Sequence, residues 1–108
     1  NGKTWSKADV FDDLGVWPAL LTLKNGATVV AYGRPGLYVR ATKDADGASW
    51  GDRIDVVKPG QVQKDTCSYP DLIALDDNTA MIVYSDFHVP GPQGKPRKTI
   101  LVRTITVK

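Results

Sequence analysis

One pattern occurs twice in this chain of 108 residues. The first copy, W-P-A-L-L-T-L-K-N-G-A-T-V-V-A-Y, begins at Trp17, and the second, Y-P-D-L-I-A-L-D-D-N-T-A-M-I-V-Y, begins at Tyr69. Equivalent residues are 52 positions apart, so that Leu20 matches Leu72. Because each copy holds two short apolar runs around polar turn residues, the repeat predicts two copies of one strand–turn–strand unit.

The apolar runs are short and are bounded by Gly, Pro, Asn and Asp, which predicts strands rather than helices. The expected strands lie at 18–23, 27–32, 37–42, 50–57, 70–75, 79–84 and 98–107, with a proline-containing loop at 85–97. Asn25 and Gly26 form the strongest hairpin signal, because both residue types tolerate positive φ.

The second strand of each copy is apolar at consecutive positions, V-V-A-Y and M-I-V-Y, so both faces of its sheet need cover. With no helices predicted, other sheets must supply that cover, and four-stranded sheets at this period are β-propeller blades. We therefore predict an all-β fold of two consecutive four-stranded antiparallel blades of a β-propeller. Residues 1–11 would be the outer strand of a preceding blade, 17–57 a complete blade and 69–107 three strands of the next. Two blades leave apolar faces exposed, so other blades or other copies of the chain are required.

Composition and motifs exclude several function classes. A net charge of +2 is too small to indicate nucleic-acid binding, and no apolar run approaches the roughly 20 residues of a membrane span. The single cysteine, Cys67, has no disulfide partner in the chain and is expected to be a small buried hydrophobe. His88 lies on the predicted loop without a second ligand at metal-binding spacing, so neither a metal nor a cofactor is expected.

Two turns resemble the Asp-box, the repeat of bacterial neuraminidases, whose pattern is Ser-x-Asp-x-Gly-x-Thr-Trp. N-G-K-T-W at 1–5 matches its second half, and T-K-D-A-D-G-A-S-W at 42–50 matches the whole with one inserted residue. The resemblance implies structural roles for Gly2, Thr4, Trp5, Asp44, Gly47 and Trp50. The aspartate would accept backbone hydrogen bonds, the glycine would supply positive φ and the tryptophan would pack underneath. The alternative is a calcium site at Asp44 and Asp46.

The order of segments resembles the C-terminal third of a sialidase, and this resemblance implies a six-bladed β-propeller. In that family an arginine precedes the strand that leads into an Asp-box, here Arg34, and a tyrosine opens the next blade, here Tyr69. The resemblance implies that Arg34 binds the carboxylate of sialic acid as a planar fork and that Tyr69 is the nucleophile. It also implies that two further arginines, the acid/base aspartate and the glutamate that activates tyrosine precede Asn1, so the chain alone is not catalytically complete.

The expected function is that of the C-terminal part of a sialidase-like glycoside hydrolase. It would act on terminal sialic acid or a related acidic sugar, as an exo-α-sialidase when the full propeller is present. The partners would be an acidic glycan and either the rest of the propeller or further copies of the chain. The resemblance favours a secreted or extracytoplasmic location. The alternative is a non-catalytic, lectin-like module that forms its propeller by oligomerisation.

Simpler roles stay open for the individual residues. Arg34 can cap a strand end or meet a surface carboxylate. Tyr69 aligns with Trp17, which indicates an aromatic packing position shared by both repeats. Trp17 itself can be a core residue or can stack on a sugar. The basic run 95–98 can be a solvated rim or can attract anionic glycans.

Overall fold

The structure, a computed structural model, describes residues 2–59 and 69–108. Its strands are β1 (Val16–Thr22), β2 (Thr28–Gly33), β3 (Leu37–Thr42), β4 (Ile54–Val57), β5 (Asp71–Ala74), β6 (Thr79–Pro90) and β7 (Pro96–Thr106). They form two antiparallel sheets, which we call sheet A (order β1-β2-β3-β4) and sheet B (order β5-β6-β7). These residues contain no α-helix, which confirms the all-β prediction, and no helix in them could cross a membrane.

The predicted hairpin at Asn25–Gly26 is confirmed. Leu23 N–H donates to the carbonyl oxygen of Ala27 at 2.8 Å, and Gly26 has a φ of 83°. The Asn25 side-chain oxygen also accepts from Ala27 N–H at 2.9 Å. Positive φ at Gly26 and this side-chain bond together turn the chain tightly from β1 into β2.

The internal repeat extends to strand register. Leu20 pairs with Val30 in sheet A, and their equivalents Leu72 and Ile82 pair in sheet B. The two sheets are therefore built from the same hairpin, placed twice.

Residues 85–97 are not the predicted loop. Most of them continue β6 and β7, and only the tip remains a turn, in which Gly91 N–H donates to Lys95 O at 2.9 Å. The strands continue because an irregularity between Asp86 and Val89 absorbs the change of register. Pro90 and Pro96 pair at the end of the ladder, where missing N–H donors interrupt little, and His88 lies within β6 rather than on a loop.

The segment before β1 forms no strand within residues 2–15. An outer strand of a preceding blade would pair with a sheet other than sheets A and B, so that assignment for 1–11 stays a prediction.

Phe11 packs edge-on against Tyr32 with ring centroids 5.7 Å apart, and Asp12 accepts a hydrogen bond from the Tyr32 hydroxyl at 2.6 Å. Burial, and then this bond, raise the pKa of Tyr32 to about 12. Residues 11–12 thus cover part of the outer face of sheet A.

The core lies between the two sheets. It is formed from sheet A by Leu23, Val29, Ala31, Leu37 and Val39, and from sheet B by Ala80, Ile82 and Tyr84. On the opposite face of sheet A, Val30, Tyr32 and Tyr38 form a separate buried cluster. Strands β2 and β3 therefore bury both of their faces, as the unbroken apolar runs require.

The two sheets face each other with non-equivalent sides. Val29 of sheet A packs toward sheet B, but its repeat equivalent Met81 lies on the side of sheet B that faces away. Conversely, Ile82 packs toward sheet A, whereas its equivalent Val30 faces away. The contact is head-to-tail, which is the kind of contact that can be repeated.

The outer side of sheet B is apolar and open in this chain. Ile73, Val102 and Ile100 are 54%, 59% and 75% exposed, and Val102 pairs across the ladder with Val83. We call this surface the outer face of sheet B. Its apolar residues have the character of an interface rather than of a wetted surface.

Substitutions of one isoleucine in the core and one on the outer face of sheet B should differ in their effect on stability. Ile82→Ala should lower the free energy of unfolding by about 2–5 kcal/mol, because the side chain is fully buried between the sheets. Ile73→Ala, the matched control at 54% exposure, should cost less than about 1 kcal/mol. Urea unfolding in dilute solution measures both. Equal losses would contradict the placement of the core between the sheets.

Candidate functional site

Three residues share a rare backbone conformation. Among the described residues, Trp17, Arg34 and Tyr69 are the non-glycine residues with positive φ, at 60°, 75° and 33°. Bulky L-residues avoid this region because the side chain crowds the backbone. Such conformations persist only where the surrounding structure holds them, and they cluster at functional sites.

The same three side chains meet in space. The Arg34 guanidinium carbon lies 5.4 Å from the ring centroid of Tyr69. Trp17 approaches Tyr69 with ring centroids 5.1 Å apart and an interplanar angle of 84°. Arg34 and Tyr69, which the sequence resemblance assigns to one site, are thus in contact, and Trp17 joins them. We call these residues the arginine–aromatic cluster.

Trp17 is held by a bulge in β1. Val16 pairs with Gly33 and Ala19 with Ala31, so β1 has one residue more than β2 between these pairs. A bulge of this kind redirects a side chain away from the regular alternation.

Tyr69 has the corresponding place in the second repeat. Like Trp17, it directly precedes a proline at the start of a hairpin, and both residues have positive φ. The first strands of the two hairpins, β1 and β5, also contact each other. The repeat therefore brings two equivalent aromatic residues side by side.

Arg34 is set by the turn between β2 and β3. Its N–H donates to Gly36 O at 3.0 Å, and the Arg34–Pro35 peptide bond is cis. Gly36 has a φ of 78°, and a Cβ there would lie 2.6 Å from Val57 O. The turn consequently requires glycine at this position. It orients Arg34 toward the start of β5.

The cluster is open to solvent. Trp17 is 62% exposed and Tyr69 is 47% exposed, while Arg34 is half-buried. A core role for Trp17 is therefore wrong for this chain. Tyr69 does pack on its aromatic equivalent, as the shared-position interpretation requires, and still presents about half of its surface.

The chemistry of the cluster suits an anion that also has an apolar face. Arg34 carries a permanent charge and planar N–H donors that match a carboxylate. Its position over the Tyr69 ring adds a cation–π attraction that holds the two side chains together. Exposed aromatic rings beside a cation offer apolar contact next to charge recognition.

Asp44 is the centre of the turn after β3. Its Oδ1 accepts from Asp46 N–H at 3.0 Å, and its Oδ2 accepts from the N–H groups of Ala48 and Ser49, both at 3.0 Å. Gly47 has a φ of 66°, and its N–H donates to Asp44 O at 3.0 Å. N–H groups point at both carboxylate oxygens, which opposes the calcium alternative because a cation would meet donors there.

The two tryptophans of the Asp-box-like turns differ. Trp50 Nε1–H donates to Gly47 O at 2.9 Å, and its ring packs against the buried tyrosine cluster of sheet A. Trp5 is 88% exposed, so the packing expected of it is not found among the described residues. Gly2 has a φ of 66°, as a turn glycine should, and Thr4 is exposed.

Of the remaining sequence candidates, His88 lies within β6, and the basic run 95–98 lies at the start of β7. Cys67 falls outside the described residues. Trp17 is the member of the arginine–aromatic cluster that sequence reasoning undervalued, and its alignment with Tyr69 was the available signal. No protein-family model, curated protein or solved structure matches the chain.

The contribution of the Asp44 carboxylate to the stability of the turn after β3 should depend on pH. Hydrogen bonds from the N–H groups of Asp46 and Ser49 hold its pKa below the ordinary 3.8. Its carboxylate therefore stabilises the folded state above the unfolded-state pKa, and this contribution is lost as pH falls through the lower folded-state pKa. Asp44→Ala should lower the melting temperature at neutral pH, and the difference from the unsubstituted protein should shrink in acid.

Asp46→Ala is the matched control, because only the backbone N–H of Asp46 enters the network and that group survives the substitution. Its melting temperature should stay close to that of the unsubstituted chain. Thermal unfolding followed by circular dichroism from pH 7 to pH 2 measures both variants. Equal effects of the two substitutions at pH 7 would show that the Asp44 network is not what holds this turn.

Proposed function

We propose that this chain is part of a sialidase-type β-propeller and contributes Arg34 and Tyr69 to a site for a carboxylated sugar. The observation that carries the proposal is the contact of the Arg34 guanidinium with the Tyr69 ring, at 5.4 Å from the centroid. Arg34 from the turn after β2 and Tyr69 from the start of the second repeat, both in an unfavoured backbone conformation, are brought together at an exposed surface.

The residue types fit the chemistry of sialic acid. This sugar carries a carboxylate on its anomeric carbon, which arginine binds as a two-pronged, charge-assisted donor. A carboxylate nucleophile would be repelled there, whereas a neutral tyrosine is not. In the proposed reaction the Tyr69 oxygen bonds to the anomeric carbon as the glycosidic C–O bond breaks. A base takes the phenolic proton, an acid protonates the leaving oxygen, and water later releases the sugar. By resemblance, the base and the acid belong to the complete propeller.

Sheet packing supports the propeller part of the proposal. A head-to-tail contact applied repeatedly gives a closed ring or an open filament. Repeating the contact of sheet A with sheet B would place a third sheet on the outer face of sheet B, with residues like Ile82 meeting Met81 and Val83. Six such sheets, from one longer polypeptide or from three copies of this chain, would form the proposed ring.

A lectin-like function is the second candidate, and one observation favours it. The arginine–aromatic cluster presents a guanidinium beside two exposed rings, with Trp17 62% and Tyr69 47% exposed. Binding by a guanidinium and exposed aromatic rings needs no base, so the cluster as it stands has what a sugar-binding site requires. Hydrolysis by the complete assembly distinguishes the two functions.

Arg34→Lys should weaken binding of a methyl α-sialoside by about tenfold or more, because lysine cannot offer paired planar donors. Arg97→Lys, on the exposed part of β7, is the matched control and should leave affinity unchanged. Saturation-transfer NMR with a competition series measures both. Unchanged affinity in the Arg34 variant would contradict the proposed site.

Tyr69→Phe should keep the affinity for the sialoside within about threefold of that of the unsubstituted protein. In an assembly that hydrolyses a fluorogenic sialoside, the same substitution should abolish hydrolysis.

The outer face of sheet B provides the test of assembly. The chain alone should self-associate, and Val102→Lys should reduce association by placing a charge on the apolar face. Ala45→Lys, on the exposed turn after β3, adds the same charge elsewhere and should leave association unchanged. Sedimentation velocity measures all three proteins, and a discrete trimer would indicate closure by copies. A monodisperse 11.7 kDa monomer with unaltered folding would contradict the need for cover.

A further inference from the structure

Trp17 is the most exposed member of the arginine–aromatic cluster. We propose that its indole ring is a wall of the sugar subsite and contacts the apolar face of the bound sugar while Arg34 holds the carboxylate. This inference rests on the proposed function and adds a residue that discriminates sugar acids from other carboxylates.

The ring geometry leaves the indole available. Trp17 and Tyr69 meet at 84°, so they form a corner rather than a parallel stack. Tyr69 covers only part of Trp17, which remains 62% exposed. Arg34 contacts the other member of the corner, at 5.4 Å from the Tyr69 centroid. A ligand at this corner would lie against both rings, one of which is in contact with the Arg34 guanidinium.

The backbone indicates that this exposure is built into the fold. A φ of 60° is unfavourable for a residue as large as tryptophan, and the bulge in β1 imposes it. A tryptophan held only for packing would be buried by regular alternation along the strand. Here Trp17 lies in the bulge, is 62% exposed and packs against Tyr69.

The internal repeat explains why the subsite has two walls. Trp17 and Tyr69 occupy the same position of the two hairpins, and the first strands of these hairpins are in contact. Each repeat thus supplies one aromatic residue, and the turn after β2 supplies the arginine. The matching ligand has a carboxylate close to a face of C–H groups or an acyl methyl group, which describes N-acylated sugar acids.

The test compares the affinity of tryptophan variants for methyl α-N-acetylneuraminate. Trp17→Ala should weaken binding by about tenfold, and Trp17→Phe, which keeps an aromatic face, by about threefold or less. Trp5→Ala is the matched control, because Trp5 is 88% exposed and outside the cluster, and it should leave affinity unchanged. Circular dichroism verifies folding of each variant.

A second measurement follows binding in the unsubstituted chain and uses a variant only to assign a signal. The chain has three tryptophans, so its NMR spectrum has three indole N–H signals, and loss of one in Trp17→Phe assigns Trp17. The Trp17 signal should shift on titration with the sialoside and saturate at the affinity measured independently, while the Trp5 signal stays in place.

The outcomes separate this inference from the function on which it rests. If the sialoside binds, Arg34→Lys weakens it, and neither Trp17→Ala nor the Trp17 signal responds, the wall is refuted and the proposed function stands. If the sialoside binds neither the chain nor its assembly, both are refuted.

Discussion

Burial of sheets that are apolar on both sides is the constraint on which the rest of this structure depends. Val29 and Val30 are neighbours on β2, point to opposite faces, and are both buried. One face is covered by the second repeat and the other in part by residues before β1. Because the sheets pack head-to-tail, a sheet that covers one apolar face exposes another apolar face of its own. In this chain, that exposed face is the outer face of sheet B.

The same packing creates the candidate site. Stacking the two hairpins in one orientation sets β1 beside β5, so residues that begin these strands converge. Trp17 and Tyr69 are equivalent in the repeat, yet the fold uses them as two different walls of one corner. The unfavoured backbone of Trp17, Arg34 and Tyr69 is maintained by the rigid sheets below it. Site and scaffold are therefore linked: weakening the contact between the sheets should also loosen the corner.

Much of the fold could be predicted from sequence because its signals are local. The Asn25–Gly26 hairpin and the strand at 37–42 follow from turn chemistry and apolar runs, and the repeat gives the second sheet from the first. The extension of β6 and β7 as far as Pro90 and Pro96 could not be predicted, since it depends on a bulge and on proline pairing at the strand ends. The exposure of Trp17 could not be predicted either, because the residue lies in a bulge, where the regular alternation of side chains does not apply. Arg34 and Tyr69 were assigned through the resemblance of the segment order to a sialidase, and their contact depends on tertiary packing that no local pattern encodes.

The most direct test of the central claim is a crystal structure of the assembled protein with 2-deoxy-2,3-didehydro-N-acetylneuraminate. The account predicts another four-stranded sheet on the outer face of sheet B. It also predicts ligand carboxylate oxygens within about 3 Å of the Arg34 guanidinium nitrogens, as in a charge-assisted hydrogen bond. Solvent on the outer face of sheet B, together with a ligand bound away from Arg34, would contradict it.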